Sequence, residues 1–206
     1  ALIKPAFSPY GYTKQVGEKI LTDFFKTKPN SSLTLLRYFN PIGAHPSALI
    51  GELPIGVPSN LVPYITQTGI GKRKKLTVFG KDYDTDDGTC IRDYIHVVDL
   101  ANAHVASLKK GLNSKESIKT YNVGTGKGVS VLEVISAFEK VSNQKLNYEF
   151  GPRRGGDVPE IYSDNELIKT ELGWEAKFSL EDCLEHSWKW EKNLVNFKYK
   201  SEKKQD

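Results

Sequence analysis

The chain has 206 residues, 38% of them hydrophobic, and a formal net charge of +4 from 29 Lys and Arg against 25 Asp and Glu; it is long enough to bury a sizeable core, and its interleaved charges argue against a nucleic-acid partner. Cys90 and Cys183 stand too far apart for a redox or metal-binding pair, which argues against a disulfide scaffold and fits a reducing compartment. No apolar run approaches the ~20 residues of a membrane span and no signal-peptide pattern opens the chain, so a cytoplasmic protein without a membrane partner is expected. Met is absent from the sequence, and from this we expect the chain to begin inside a longer protein.

In chain order, Val16, Ile20, Leu21 and Phe24 recur at helical spacing and predict a helix over 12–26, closed by Pro29-Asn30. "SLTLLRYFN" (32–40) is rich in branched and aromatic residues and reads as a buried strand, whose end is where α/β sheets collect ligands. Residues 41–58 are broken by Gly and Pro and read as loop, after which "NLVPYITQTGIG" resumes helical periodicity. The cluster Lys72 to Lys75 reads as a solvated basic turn and Leu76 to Phe79 as a short strand; no aromatic residues interleave with the basic ones as a nucleic-acid surface needs. "CIRDYIHVVDL" reads as a strand running to Asp99, which would N-cap a helix over 100–110.

"KTYNVGTGKGVSVLEVISAFEKV" reads as strand, glycine turn and helix, with Ser130 and Glu133 spaced as a capping box. "LNYEFGP" is a further strand candidate, followed by a helix capped by Asp164, an "LGW" turn, a last amphipathic helix near 180–194 and a charged, frayed tail. Alternating strands and helices give an α/β class with a mainly parallel sheet, and the loop-rich later half predicts a smaller appended domain. A nucleotide-binding domain of this class opens with strand, glycine turn and helix. None precedes residue 8, so the amino-terminal strands of a Rossmann-type sheet are expected to be absent.

Tyr10 and Lys14 share one helix face. An ammonium beside a phenol stabilises the phenolate and draws its pKa down from ~10, as a general base requires, although Tyr and Lys are also ordinary residues of amphipathic helices. In "YNVGTGKGVS" Gly124 and Gly126 fit a dinucleotide fingerprint but Val129 replaces its third glycine, so a tight turn is expected. "GPRRGGD" (151–157) offers guanidinium groups for phosphate oxygens and Asp157 for ribose hydroxyls, or else a solvated loop. Arg92, inside an apolar strand, requires a carboxylate or phosphate partner. The four His form no metal set and no Ser/His/Asp arrangement, so no metal is expected.

Taken jointly, "SPYGYTK", "LRYFNPIGAHPS", "GVPSNLVPYI", "LTVFGKDYDTDDGTCIRDYIHVVDLANAH", "YNVGTGKGVSVLEV" and "GPRRGGDVPEIYSD" resemble the UDP-glucose 4-epimerase branch of the extended short-chain dehydrogenase/reductase family, in family order from Ser8 to about Trp190. The resemblance implies a partial Rossmann-type parallel sheet with a smaller mixed α/β substrate domain. Residues 1–40 would be the latter part of the NAD-binding domain and 41–206 mainly the UDP-sugar domain, with segments near 91–130 returning to the Rossmann sheet. It implies NAD as cofactor, Tyr10 as base, Lys14 holding the nicotinamide ribose, and Phe39 lining the nicotinamide site.

It further implies that Tyr38 and Asn40 flank the sugar and diphosphate, and that Asn60 and Leu61 contact diphosphate and nucleotide. Thr77, Val78 and Phe79 would embrace uracil, Arg92, Arg154 and Asp157 would bind diphosphate and ribose, and Tyr94 and Val131 would complete the substrate site. The loop at Gly124 would lie near the nucleotide. Ile161 would occupy the position whose bulk limits N-acetylated sugars, and its intermediate size leaves those sugars open.

The implied reaction inverts C4 of a UDP-hexose through a 4-keto sugar, in a protein that is a homodimer when full-length. The family's first half, with its glycine-rich turn and catalytic Ser or Thr, is absent, so the chain alone is expected to be inactive. Other readings are another nucleotide-sugar epimerase, a 4,6-dehydratase, a catalytically silent UDP-sugar-binding module, or a piece that does not fold by itself.

Overall fold

A computed structural model describes residues 5, 6, 8–114 and 117–202, with side chains through 194. Helix α1 (Pro9–Phe25) begins where Ser8 and Pro9 dictate: the Ser8 hydroxyl accepts from the Gly11 amide at 3.0 Å, and Pro occupies the first helical position, where no donor is needed. The apolar residues that predict this helix do not form its buried face. Gly11, Gln15, Glu18, Thr22 and Phe25 turn inward at spacings of three and four, while Tyr12, Val16, Ile20, Leu21 and Phe24 are exposed. Arg37 of the following strand fastens α1 by donating two bonds to the Glu18 carboxylate, at 2.7 and 2.6 Å.

Strand β1 (Ser32–Tyr38) pairs in parallel with β6 (Ser117–Val123), and the chain then changes partner. The Phe39 amide still reaches Val123 O, whereas the Asn40 amide reaches Asp93 O at 2.9 Å and opens β2 (Asn40–Ile42), parallel to β5 (Tyr94–His96). The expected loop therefore starts at Gly43 rather than Pro41; a two-stranded pairing tolerates the N–H that Pro41 lacks. Strand β3 (Leu76–Phe79) has the expected bounds and pairs in parallel with β8 (Tyr148–Gly151). Strand β4 (Ile91–Arg92) lies between β7 (Val129–Ser130) and β9 (Glu160–Ile161), antiparallel to the first and parallel to the second.

The helices are α2 (Leu61–Gly69), α3 (Val97–Leu112), α4 (Val131–Ser142), α5 (Glu166–Leu172) and α6 (Leu180–Glu202). Two corrections concern their starts. Asp99 does not cap α3: His96 does, through Nδ1 accepting from the Val98 amide at 3.0 Å, while Asp99 is buried one turn in and accepts the amides of Lys177 and Phe178. Asn165, not Asp164, is the N-cap of α5, although Asp164 still accepts from the Glu166 amide at 3.1 Å. The capping box of Ser130 and Glu133 forms in both directions on α4. α6 runs on to Glu202, into the expected tail, whose residues 203–206 lie outside the described residues.

Two clusters form the core. Val62, Ile65, Val78, Val134, Phe138 and Leu184 join α2, β3, α4 and α6; Ile95, Leu100, Tyr121, Val123, Ile168 and Trp174 join β5, β6, α3 and α5. Between these elements lies Asp93, fully buried, whose carboxylate accepts from the Thr125 amide and hydroxyl, the Gly126 amide, and the Ser163 amide and hydroxyl at 2.6–3.1 Å. Among the described residues no helix is long and apolar enough to cross a membrane.

Gly124 packs against this carboxylate so closely that a Cβ would overlap Asp93 Oδ2 and Ser163 Oγ. Gly124→Ala is expected to cost about 2 kcal/mol, read in a thermal melt as a midpoint lower by roughly 5 °C. His96, also fully buried, meets His186 Nδ1 through Nε2 at 3.0 Å. Burial, and then the neighbouring His186, push its pKa down from 6.5 to about 4. Unfolding in that window takes up a proton, so stability is expected to fall as pH drops from about 6.5 toward 4. Denaturant melts at about pH 7 and about pH 4.5 check this, and His96→Gln should lose that part of the dependence.

Candidate active site

A cavity of about 530 Å³ opens where the start of α2, strand β3, the segment 90–94, the start of α4 and the loop 154–157 converge. Alternation along the extended segment explains one wall: Cys90, Arg92 and Tyr94 share a face and line the cavity, while Asp93 points the other way. Of the residues nominated from the sequence, the structure brings together Asn40, Asn60, Leu61, Thr77, Val78, Phe79, Arg92, Tyr94, Val131, Arg154 and Asp157. Tyr10, Lys14, Tyr38, Phe39 and Ile161 do not line it. Ile161 is half-exposed on β9, in register with Arg92.

The cavity sets hydrogen-bond donors and guanidinium groups beside an aromatic surface. Asn60 precedes α2 without capping it, and its side-chain amide instead donates to Glu52 at 2.8 Å. The first-turn amides of α2 therefore keep no side-chain acceptor, and the positive end of the helix faces the cavity. Arg154 lies with its guanidinium carbon 4.1 Å from the centre of the Phe79 ring. Arg92 has the partner its burial demands: it donates to Ile91 O and Val158 O at 2.8 Å and to Asp157 Oδ1 at 3.3 Å. Burial raises the Tyr94 phenol far above its ordinary 10, which keeps it neutral.

The start of α4 is closed to a ligand, because Ser130 and Glu133 satisfy its first turn and the Val131 amide donates to Cys90 O. The glycine turn at 124–126 also lies outside the cavity, with the amides of Thr125 and Gly126 given to Asp93. The basic run 72–75 is taken up locally: Lys72 pairs with buried Glu191, Arg73 stacks 4.7 Å from the Tyr64 ring, and Lys75 pairs with Glu149. No group of three or more metal-ligating side chains occurs among the described residues.

Tyr10 is 71% exposed on α1, and Lys14 Nζ stands 5.1 Å from its ring centre, so the two share a face as their spacing requires. Sequence reasoning missed Tyr64, Cys90 and the Pro58-Ser59 edge of the cavity. Two of these carried a signal: Tyr64 lies one helical turn after Leu61, and Cys90 lies two strand positions before Arg92. Asp93 carried none, because its partners come from distant turns.

The sequence matches the family model described as GDP-mannose 4,6 dehydratase over residues 3–187. The UDP-glucose 4-epimerase of Bacillus subtilis (strain 168) is 53% identical over 191 residues, which are 93% of this chain and 56% of that protein. The enzyme of that name from Haemophilus influenzae is 52% identical over 90% of this chain and 55% of its own length. The crystal structure of UDP-glucose 4-epimerase from Bifidobacterium longum in complex with NAD+ and UDP superposes with a TM-score of 0.90 at 45% identity, covering 95% of this chain and 58% of that one. The chain thus spans about half the length of the curated relatives it matches. With a match that takes in α1 and every element of the cavity, the chain belongs to the GDP-mannose 4,6 dehydratase family and, within it, is similar to proteins called UDP-glucose 4-epimerase.

Proposed function

We propose that the chain is the UDP-hexose-binding and proton-transferring part of a UDP-glucose 4-epimerase. One observation carries this reading: the cavity places the uncapped start of α2 at Asn60 and Leu61, the guanidinium groups of Arg92 and Arg154, the Asp157 carboxylate and the Phe79 ring around one volume. A uridine diphosphate has the matching parts. The diphosphate takes the helix amides and guanidinium groups, the ribose hydroxyls donate to Asp157, and uracil lies along Thr77 to Phe79 with Tyr94 and Val131 closing the site.

The hexose then extends past Asn40 toward Tyr38, since Asn40 lines the cavity and directly follows β1 and Phe39. Tyr10 accepts the proton of the 4-hydroxyl, and Lys14 holds the phenolate. The carbinol carbon gives up a hydride and becomes a ketone, the 4-keto sugar turns over while its UDP stays anchored, and Tyr10 returns the proton to the C4 oxygen as hydride re-enters C4 on its other face. When bound, NAD supplies the hydride acceptor and donor for this step. The chain fits only its nicotinamide-ribose end, through Lys14, Tyr10 and Phe39, because the 124–126 amides are spent on Asp93. The chain alone is therefore inactive in this reading.

In the same reading, residues 1–40 with the segment 91–130 form the NAD-binding part and the rest of 41–206 the UDP-sugar part, supported by the pairing of β5 and β6 with β2 and β1. Ile161, on β9 in register with Arg92 of β4, is the residue whose bulk this reading assigns to sugar selection, and its size leaves N-acetylated hexoses open. The outward apolar face of α1 supports self-association into a homodimer, and a cytoplasmic location fits a nucleotide-sugar substrate. The family description favours a second reading, a 4,6-dehydratase. A 4-keto-6-deoxy product would replace the C4 epimer in that case.

Calorimetric titration of the chain should give UDP binding that Arg154→Ala weakens by about tenfold to a hundredfold, the worth of a charge-assisted contact. UDP binding that is absent, or indifferent to this substitution, overturns the reading. With the amino-terminal part of a full-length relative joined ahead of this chain, Tyr10→Phe should lower conversion of UDP-galactose to UDP-glucose by at least ~10²-fold while UDP affinity stays unchanged.

A further inference from the structure

Asp93 sits between two residues that line the cavity, Arg92 and Tyr94, yet its own side chain serves the opposite face of the strand. Its carboxylate is fully buried, has no cation among the described residues, and is held by five neutral donors from two separate segments, Thr125–Gly126 and Ser163. The first segment follows β6, the partner of β1; the second follows β9, the partner of β4. Its main-chain carbonyl meanwhile accepts the Asn40 amide at 2.9 Å. One residue therefore touches the nucleotide wall, the turn behind β1 and the strand end that leads out of the cavity.

We propose that Asp93 is a positioning residue, which sets the distance between the nucleotide wall at Arg92 and Tyr94 and the strand end at Asn40, and so determines how the hexose rather than the nucleotide is held. This rests on the UDP-hexose reading of the cavity. A diphosphate and uracil are gripped by the start of α2 and the 76–94 and 154–157 walls, and tolerate a small shift of Asn40. A hexose spans both sides and does not. Replacing the carboxylate with an amide forces one NH₂ group against donors that already point inward: on the Oδ1 side the Thr125 amide and hydroxyl, on the Oδ2 side the amides of Gly126 and Ser163. The two segments separate from residue 93, and its main-chain carbonyl, which holds the Asn40 amide, is no longer fixed in place.

The test compares the wild-type chain with Asp93→Asn and Ser163→Ala, all below their melting transitions, by titration with UDP and with UDP-glucose. Asp93→Asn is expected to change UDP affinity less than threefold and to lower UDP-glucose affinity tenfold or more, with Ser163→Ala intermediate. Equal losses for both ligands mark a structural role only and overturn the proposal, as does an unchanged ratio.

Amide hydrogen exchange supplies a readout that needs no ligand. Protection at Asn40 should fall together with that at Gly126 and Ser163 in the variants; loss at the latter two with Asn40 unchanged also overturns the proposal. A wild-type chain that binds neither ligand defeats the functional reading alone, and exchange still decides the coupling. Should Asp93→Asn not fold, Ser163→Ala decides both arms.

Discussion

The Asp93 carboxylate is the constraint on which the rest of the arrangement depends. A buried carboxylate without a cation is costly unless its lone pairs are filled, and here filling them requires the turn after β6 and the segment after β9 to approach the same point. That approach leaves no room for a side chain at residue 124. It also turns Arg92 and Tyr94 the other way, because neighbouring residues of an extended strand face opposite sides. The cavity wall and the glycine turn are two consequences of one local requirement.

The starts of two helices show why the donor-rich wall of the cavity falls where it does. Each begins with a residue suited to capping, Asn60 for α2 and Ser130 for α4. Ser130 and Glu133 satisfy α4 internally, and the Ser130 hydroxyl is tied further to Asp87. Asn60 is drawn instead to Glu52, in a loop that Trp190 holds through Glu52 O at 2.8 Å. The positive end of α2 is thus left for a ligand, and Arg92 and Arg154 stand beside it. Fold and charge select one helix start without any special glycine-rich motif.

Features governed by neighbours in sequence were legible: the bounds of β3 and the capping box of α4 follow from short-range rules. Those governed by distant partners were not. Asp99 has the chemistry of a cap but is claimed by the amides of Lys177 and Phe178, which leaves the role to His96. Residues 41 and 42, the first of them a proline, read as loop, yet β5 draws them into a strand. For the candidate site, Arg92 announced its need for a partner through its apolar surroundings, whereas Asp93 beside it could not be assigned until residues 125 and 163 were placed against it. The apolar spacing of α1 identified the helix, but its apolar side turns outward, because Arg37 claims the Glu18 side for the sheet.

That last inversion bears on how Tyr10 is aimed. An apolar face seats a helix in a compliant way, since greasy contacts change little when the helix rolls by a few degrees about its axis. α1 rests on β1 through a polar face and a two-pronged guanidinium–carboxylate fork, and such a fork is sensitive to roll. Lys14 stands one turn before Glu18, and Tyr10 one turn before Lys14. The bearing of the phenol is therefore keyed to that ion pair, like the azimuth of a pointer set by a key on its shaft.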